Sequence, residues 1–153
     1  MNKQMKELLE TINQQLKELS GIYRTAVSSS GISENEFWIW YALIIMDGEY
    51  SQQDISGMWS LSKQTVNTII SNMVRKGFVS LEVIPGTRNR KVIHLTEAGR
   101  KYGESIVLPI ADAEERALER LPVKEQVACA VALSKYISCL KEELQNHENK
   151  GEE

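Results

Sequence analysis

Apolar residues recur at spacings of three and four through the first part of the chain. They fall at Met5, Leu8, Leu9, Ile12, Leu16, Leu19, Ile22 and Tyr23, one stripe along a helix. Ser28, Ser29, Ser30 and Gly31 form a stop signal. Ser33 followed by Glu36 is a capping-box pattern that opens a second helix. This helix carries Phe37, Trp38, Trp40, Tyr41, Leu43, Ile44, Ile45 and Met46. It is apolar nearly all round, which predicts a central, buried position.

Two short helical patterns follow, 51–59 and 62–76, joined by a tight turn. Ser51 caps the first, with Asp54 in the capping-box position and Ile55, Met58 and Leu61 inward. Ser62 caps the second, whose inner stripe is Val66, Ile69, Ile70, Met73 and Val74. Lys63, Gln64, Asn67, Ser71 and Arg75 fall on its outer side, flanked by Thr65 and Thr68. Lys76 and Gly77 end it, a cation in the last turn and then glycine. Residues 79–84 and 91–95 read as strands around a tip of Pro85, Gly86, Thr87, Arg88, Asn89 and Arg90. Thr96 opens a long helix carrying Tyr102, Ile106, Ile110, Ala113 and Leu121, with Pro109 expected to kink it. Pro122 starts a last helix with a stripe of Val123, Val127, Ala130, Leu133, Ile137, Leu140 and Leu144. Residues 145–153 are polar and are expected to fray.

The predicted fold class is therefore mainly α with a small β-hairpin wing. It is a winged helix-turn-helix flanked by N- and C-terminal helices. Such a layout offers a second helix to a DNA major groove and a wing to the backbone or minor groove.

Charge sharpens this picture. The chain carries a net charge of −3, which by itself disfavours a nucleic-acid partner. Over 62–91, however, Lys63, Arg75, Lys76, Arg88, Arg90 and Lys91 face only Glu82, a local balance of +5. Local charge decides where a phosphate backbone docks. No apolar run reaches the roughly 20 residues of a membrane span, and the first residues lack a signal-peptide core. A cytoplasmic protein with no membrane partner is expected. Cys129 and Cys139, ten residues apart, would sit roughly 15 Å apart on one helix, beyond disulfide reach. Lys135 and Lys141 near Cys139 are a weak cue for a redox thiol. Neither a metal-ligand spacing, a phosphate loop nor a nucleophile motif is present, so no enzyme and no cofactor is expected.

On the recognition helix, Ser62, Lys63, Gln64, Thr65, Asn67, Thr68, Ser71 and Arg75 are the candidate DNA contacts. Gln64, Asn67 and Thr68 have the donors and acceptors to read base edges, and Thr65 adds a methyl for thymine. On the wing, the candidates are Thr87, Arg88, Asn89, Arg90 and Lys91, with Arg88 and Arg90 suited to a narrow minor groove. Ser51, Gln52 and Lys76 are candidate phosphate contacts.

The order of elements resembles the MarR family of winged helix-turn-helix regulators over most of the chain. Four stretches carry the resemblance: Ser51-Gln52-Gln53-Asp54-Ile55, Leu61-Ser62-Lys63-Gln64-Thr65-Val66, Met73-Val74-Arg75-Lys76-Gly77-Phe78-Val79, and the wing from Arg88 through Leu95-Thr96-Glu97-Ala98-Gly99. The last, with its L-T-x-x-G signature, is the most specific. In the register that places Arg88 at the family's wing arginine, Gly86 stands where an aspartate usually holds that arginine. The resemblance implies a wing without its own acidic partner, looser than its relatives' and ordered on DNA.

The resemblance further implies one MarR-type domain over 1–153, with a DNA-binding lobe over 33–99 and dimerisation helices over 3–28 and 100–146. The apolar stripes of the terminal helices support a homodimer independently, because a small winged domain cannot cover them. It implies a regulator, a repressor by preference, reading a pseudo-palindromic operator in double-stranded DNA. Tyr23, Trp38, Trp40 and Tyr41 would then line a pocket for a small aromatic or phenolic effector, or simply pack in the core. The alternatives are a winged protein-interaction module and an architectural DNA-binding protein without a specific operator.

Overall fold

Three serine caps set the helix starts of the winged lobe. The computed structural model of the chain describes residues 1–150. Its elements are α1 (Lys3–Ser28), α2 (Glu34–Ile45), α3 (Gln52–Trp59), α4 (Lys63–Arg75), β1 (Val79–Val83), β2 (Lys91–Leu95), α5 (Glu97–Glu119) and α6 (Val123–Lys150). Ser33, Ser51 and Ser62 each accept a hydrogen bond from the backbone N–H three residues on. The capping box is complete only at Ser51, where the Asp54 carboxylate returns to the Ser51 N–H. At Ser33 the expected partner turns away: the Glu36 carboxylate accepts from the Trp40 indole N–H at 3.4 Å.

The chain divides into two compact units. The first is Met1–Ala111 and the second begins at Asp112. The core of the first unit forms around α2, as its all-round apolar pattern predicts. Phe37, Ile39 and Trp40 are fully buried against Ile55 of α3, Val66, Ile70 and Met73 of α4, and Val107 of α5. Burying each of the larger side chains contributes about 1.5–3 kcal/mol. Val74 is the exception to the inner stripe of α4 and is 41% exposed. At 3.6 residues per turn it lies about 80° round the helix from Val66, past the edge of the buried face.

The antiparallel hairpin β1–β2 pairs Val79 with Leu95 and Val83 with Lys91, one residue shorter on β1 than the sequence suggests. Residues before α3 extend this sheet. Ser51 forms a bridge with Val92, and Ile93 N–H donates to the Tyr50 carbonyl at 2.9 Å. The start of α3 is thereby fastened to the returning strand of the wing.

In the second unit, the Gln126 side chain donates to the carbonyls of Leu118 and Leu121 at 3.0 and 2.9 Å, closing the turn into α6. Helix α5 is continuous through Pro109. Helix α6 also continues to Lys150, where fraying was expected from residue 145; residues 151–153 of that stretch lie outside the described residues. Among the described residues, no helix is long and apolar enough to cross a membrane.

Candidate nucleic-acid interface

The outer face of α4 is polar and exposed because its stripe of Val66, Ile70 and Met73 is consumed by the core. Lys63, Gln64, Asn67, Thr68, Ser71 and Arg75 all lie on the exposed side. Thr65 is half-buried, and its hydroxyl shares a 2.8 Å hydrogen bond with Ser62 Oγ. Both hydroxyls therefore serve the helix start. Asn72, which the sequence pattern does not single out, accepts from Arg75 Nη2 at 2.8 Å and fixes that guanidinium along the helix.

Two grooves flank α4. One, of about 270 Å³, is lined by Lys63 and Asn67 of α4 with Gln52 and Gln53 of α3. The other, of about 370 Å³, is lined by Gln64, Thr65, Thr68 and Ile69 with Ser33 and Asn35 at the start of α2. Gln53, Ser33 and Asn35 were missed in the sequence because proximity to α4 across helices leaves no local pattern.

A third cleft, of about 340 Å³, runs between α3 and the wing and is lined by Ser51, Gln52, Gln53, Arg88, Asn89, Arg90 and Lys91. Gln52 and Gln53 line both this cleft and the first groove, so α3 links α4 to the wing arginines. Ser51 is buried and its hydroxyl donates to Asp54 Oδ2 at 2.7 Å, so the surface at this helix start is offered by Gln52 and Gln53. Glu82, the acid within the basic stretch, lines a separate groove with Glu49 and lies 3.2 Å from His94 Nε2. The cation-lined cleft is thus kept clear of it. Lys76 is exposed at the end of α4.

The wing tip is built by short-range bonds. Ile84 N–H donates to the Arg90 carbonyl at 2.9 Å, and Thr87 Oγ1 donates to the Ile84 carbonyl at 2.8 Å. Gly86 and Asn89 adopt φ of +81° and +70°, the left-handed turn that glycine and asparagine tolerate best. Gly86 therefore has a conformational role at the position where the resemblance led to an expected aspartate. The acid that meets a wing arginine comes from elsewhere: Asp54 of α3 accepts from Arg90 Nη2 at 2.8 Å. The Asp54 carboxyl is lowered from its ordinary 3.8 to about 2, first by the Ser51 N–H, then by the Ser51 hydroxyl and the Arg90 guanidinium.

Away from this surface, the four aromatic candidates separate into two groups. Tyr23, Trp38 and Tyr41 cluster with Trp59, with the Trp38 and Trp59 rings stacked at 4.8 Å. Trp40 is fully buried and packs edge-on against Phe78 and Tyr102. Trp59 joins the first group from α3, and its indole nitrogen is buried with no hydrogen-bond partner among the described residues. Cys129 and Cys139 are exposed free thiols on α6.

No protein-family model matches the sequence, and no curated protein matches it. Its shape has many counterparts. A MarR family regulator from Neisseria meningitidis, NMB1585, superposes with a TM-score of 0.81 at 18% identity, over 96% of this chain and 99% of the other. A MarR/EmrR family transcriptional regulator from Acinetobacter gives 0.70 at 22% identity, over 93% and 99%. Staphylococcus aureus MepR in a complex with DNA gives 0.59 at 23% identity, over 89% and 97%. Among the described residues, six helices and one antiparallel hairpin, in this order and over nearly the full length, give the chain the fold of the MarR family regulators.

Proposed function

We propose that the protein is a sequence-specific DNA-binding transcriptional regulator, acting as a homodimeric repressor on a pseudo-palindromic operator. The observation that carries this reading is the continuity of one polar surface from α4 through Gln52 and Gln53 to Arg88, Arg90 and Lys91. A recognition helix in the major groove beside a cationic wing gives base readout from the first and phosphate or minor-groove contact from the second. MepR, of the same fold, has been crystallised with DNA.

The dimer is supported by apolar surface left open on both terminal helices. Met5, Leu8, Leu16, Leu19 and Ile22 are exposed on α1, and Val123, Val127, Ile137, Leu140 and Leu144 on α6. A single copy leaves these stripes in water, and a second copy is the economical cover. Two recognition helices would then read half-sites about one helical turn apart. The cluster of Tyr23, Trp38, Tyr41 and Trp59 is our candidate for a small aromatic effector, with the Trp59 indole N–H as a donor for it. Effector binding would release DNA by changing the spacing of the two recognition helices.

Fluorescence anisotropy with labelled fragments of the gene's own upstream region tests the reading. Binding to one fragment at least about 10³-fold tighter than to random duplex, falling steeply with salt, is expected of a regulator. Equal affinity for all duplexes makes it an architectural protein, and no affinity makes the winged lobe a protein-interaction module.

A further inference from the structure

We propose that Asp54 is the positioning residue of the wing: it clasps Arg90 to the start of α3 and leaves Arg88 as the wing arginine that meets DNA. The inference rests on the DNA-binding reading above and deepens it.

One carboxylate oxygen gathers the contacts. Asp54 Oδ2 accepts from Ser51 N–H at 2.8 Å, from the Ser51 hydroxyl at 2.7 Å and from Arg90 Nη2 at 2.8 Å. The first two are local to the helix start. The third reaches across 36 residues and is a tertiary bond. The Asp54 side chain is held firmly, because Ser51 is buried and bridged to Val92 while Tyr50 accepts from Ile93. Arg90 immediately precedes β2, and its carbonyl accepts from Ile84 across the loop neck. A clasp there fixes the base of the tip, where a small rotation would swing the tip furthest.

The charges divide accordingly. An acid bordering a phosphate-binding cleft repels DNA unless a cation neutralises it. Arg90 neutralises Asp54, while Arg88 is exposed and makes no hydrogen bond or ion pair among the described residues. The pair is half-exposed, with the Arg90 and Asp54 side chains at 51% and 36%, so its direct contribution to stability is small and its effect is on geometry. The clasp takes the place of the wing aspartate that Gly86 does not supply.

The test compares wild type, Asp54→Asn, Arg90→Gln, the double variant and Arg88→Gln. Anisotropy with the preferred duplex is read over a salt series, and amide hydrogen exchange is read over 85–90 without DNA. Asp54→Asn is expected to weaken binding by about threefold or more, although it removes a negative charge from the DNA-facing surface. The double variant is expected to bind no more weakly than Arg90→Gln alone, the signature of two groups acting as one. Arg88→Gln is expected to lower the salt slope by about one while leaving wing exchange at the wild-type rate. Arg90→Gln keeps the whole cap of α3 and is expected to speed wing exchange, which guards against an Asp54→Asn variant that fails to fold. Tighter binding by Asp54→Asn, additive losses in the double variant, or wild-type exchange in Arg90→Gln would overturn the clasp. If wild type binds no duplex, the functional reading fails separately, and wing exchange alone still judges the clasp.

Discussion

The hydroxyl of Thr96 lies 2.7 Å from the carbonyl oxygen of Gly77. Gly77 ends α4 and Thr96 starts α5, so one side chain joins the exit of α4 to the helix that follows the wing. The same hydroxyl oxygen accepts from Gly99 N–H at 3.0 Å, and the Thr96 N–H donates to the Phe78 carbonyl at 3.0 Å. Replacing Thr96 with valine keeps the shape and removes the hydroxyl, leaving the Gly99 N–H at the helix start without its cap and the exposed Gly77 carbonyl to water. A loss of about 1–2 kcal/mol is expected. Urea unfolding at fixed protein concentration reads it, with Thr96→Ser as the partial rescue. An unchanged midpoint for Thr96→Val would make the hydroxyl dispensable.

Four helical glycines separate into two pairs that should respond to alanine with opposite signs. A Cβ at Gly99 would collide with the Phe78 carbonyl oxygen, and one at Gly103 would come within 2.6 Å of the Trp40 ring. Both belong to α5, where it crosses the buried face of the lobe. Gly21 and Gly57 have nothing within 4 Å of that position. Alanine at Gly99 or Gly103 is therefore expected to destabilise by about 1–3 kcal/mol through overpacking. Alanine at Gly21 or Gly57 is expected to stabilise by about 0.5–1 kcal/mol through helix propensity and chain entropy. Thermal melts of the four single variants give the signs directly. Stabilisation at Gly99 would mean that α5 can slide off Phe78.

Most of this architecture was legible because its signals are local. Ser33, Ser51 and Ser62 cap helices within three residues of themselves, and the stripe of Val66, Ile70 and Met73 repeats within one element. The glycine of the L-T-x-x-G run was legible as a pattern, while its reason, the Phe78 carbonyl, was not. What escaped depends on contacts between distant residues. Asp54 looked like a cap and nothing more, since Arg90 lies 36 residues away. Ser51 was legible as a cap, while its bridge to Val92, which crosses the lobe, was not. Trp40 fell beside Trp38 in sequence and faces other partners, because a helix turns by about 100° per residue.

Acid should reveal the network around Asp54. Its carboxyl is lowered from 3.8 to about 2 by the Ser51 N–H, the Ser51 hydroxyl and Arg90. A depressed carboxyl contributes stability that is complete above its unfolded value and is lost as the pH falls through its folded one. The difference in melting temperature between wild type and Asp54→Asn should be constant above about pH 5 and shrink between about pH 4 and 2. Melts across that range check it. A difference that stays constant down to pH 2 would place the benefit in packing and not in the charged carboxylate.

Asn67 offers the sharpest probe of base readout, being exposed on α4 beside Lys63, Gln52 and Gln53. An amide in a major groove can pair with adenine through a donor and an acceptor. Asn67→Ala should therefore cost about 1–3 kcal/mol at one base pair of the preferred site and little at others. Binding to a panel of single-base variants of the site measures this. Uniform weakening across the panel would make Asn67 a phosphate contact.

The proposed dimer makes a prediction that links assembly to DNA. Ile22 on α1 is 60% exposed and Val127 on α6 is 58% exposed, each on a stripe that needs cover. Lysine at either position leaves the core of the winged lobe untouched and places an ammonium in the proposed interface, where an unpaired charge is costly. Both variants should sediment as folded monomers at concentrations where wild type is a dimer. Each should keep the wild-type helical circular dichroism and bind a half-site as wild type does. On the full site they should lose the avidity of two linked readers, about 10²-fold or more in affinity. A lysine variant that sediments as a dimer with full operator affinity would remove that helix from the interface.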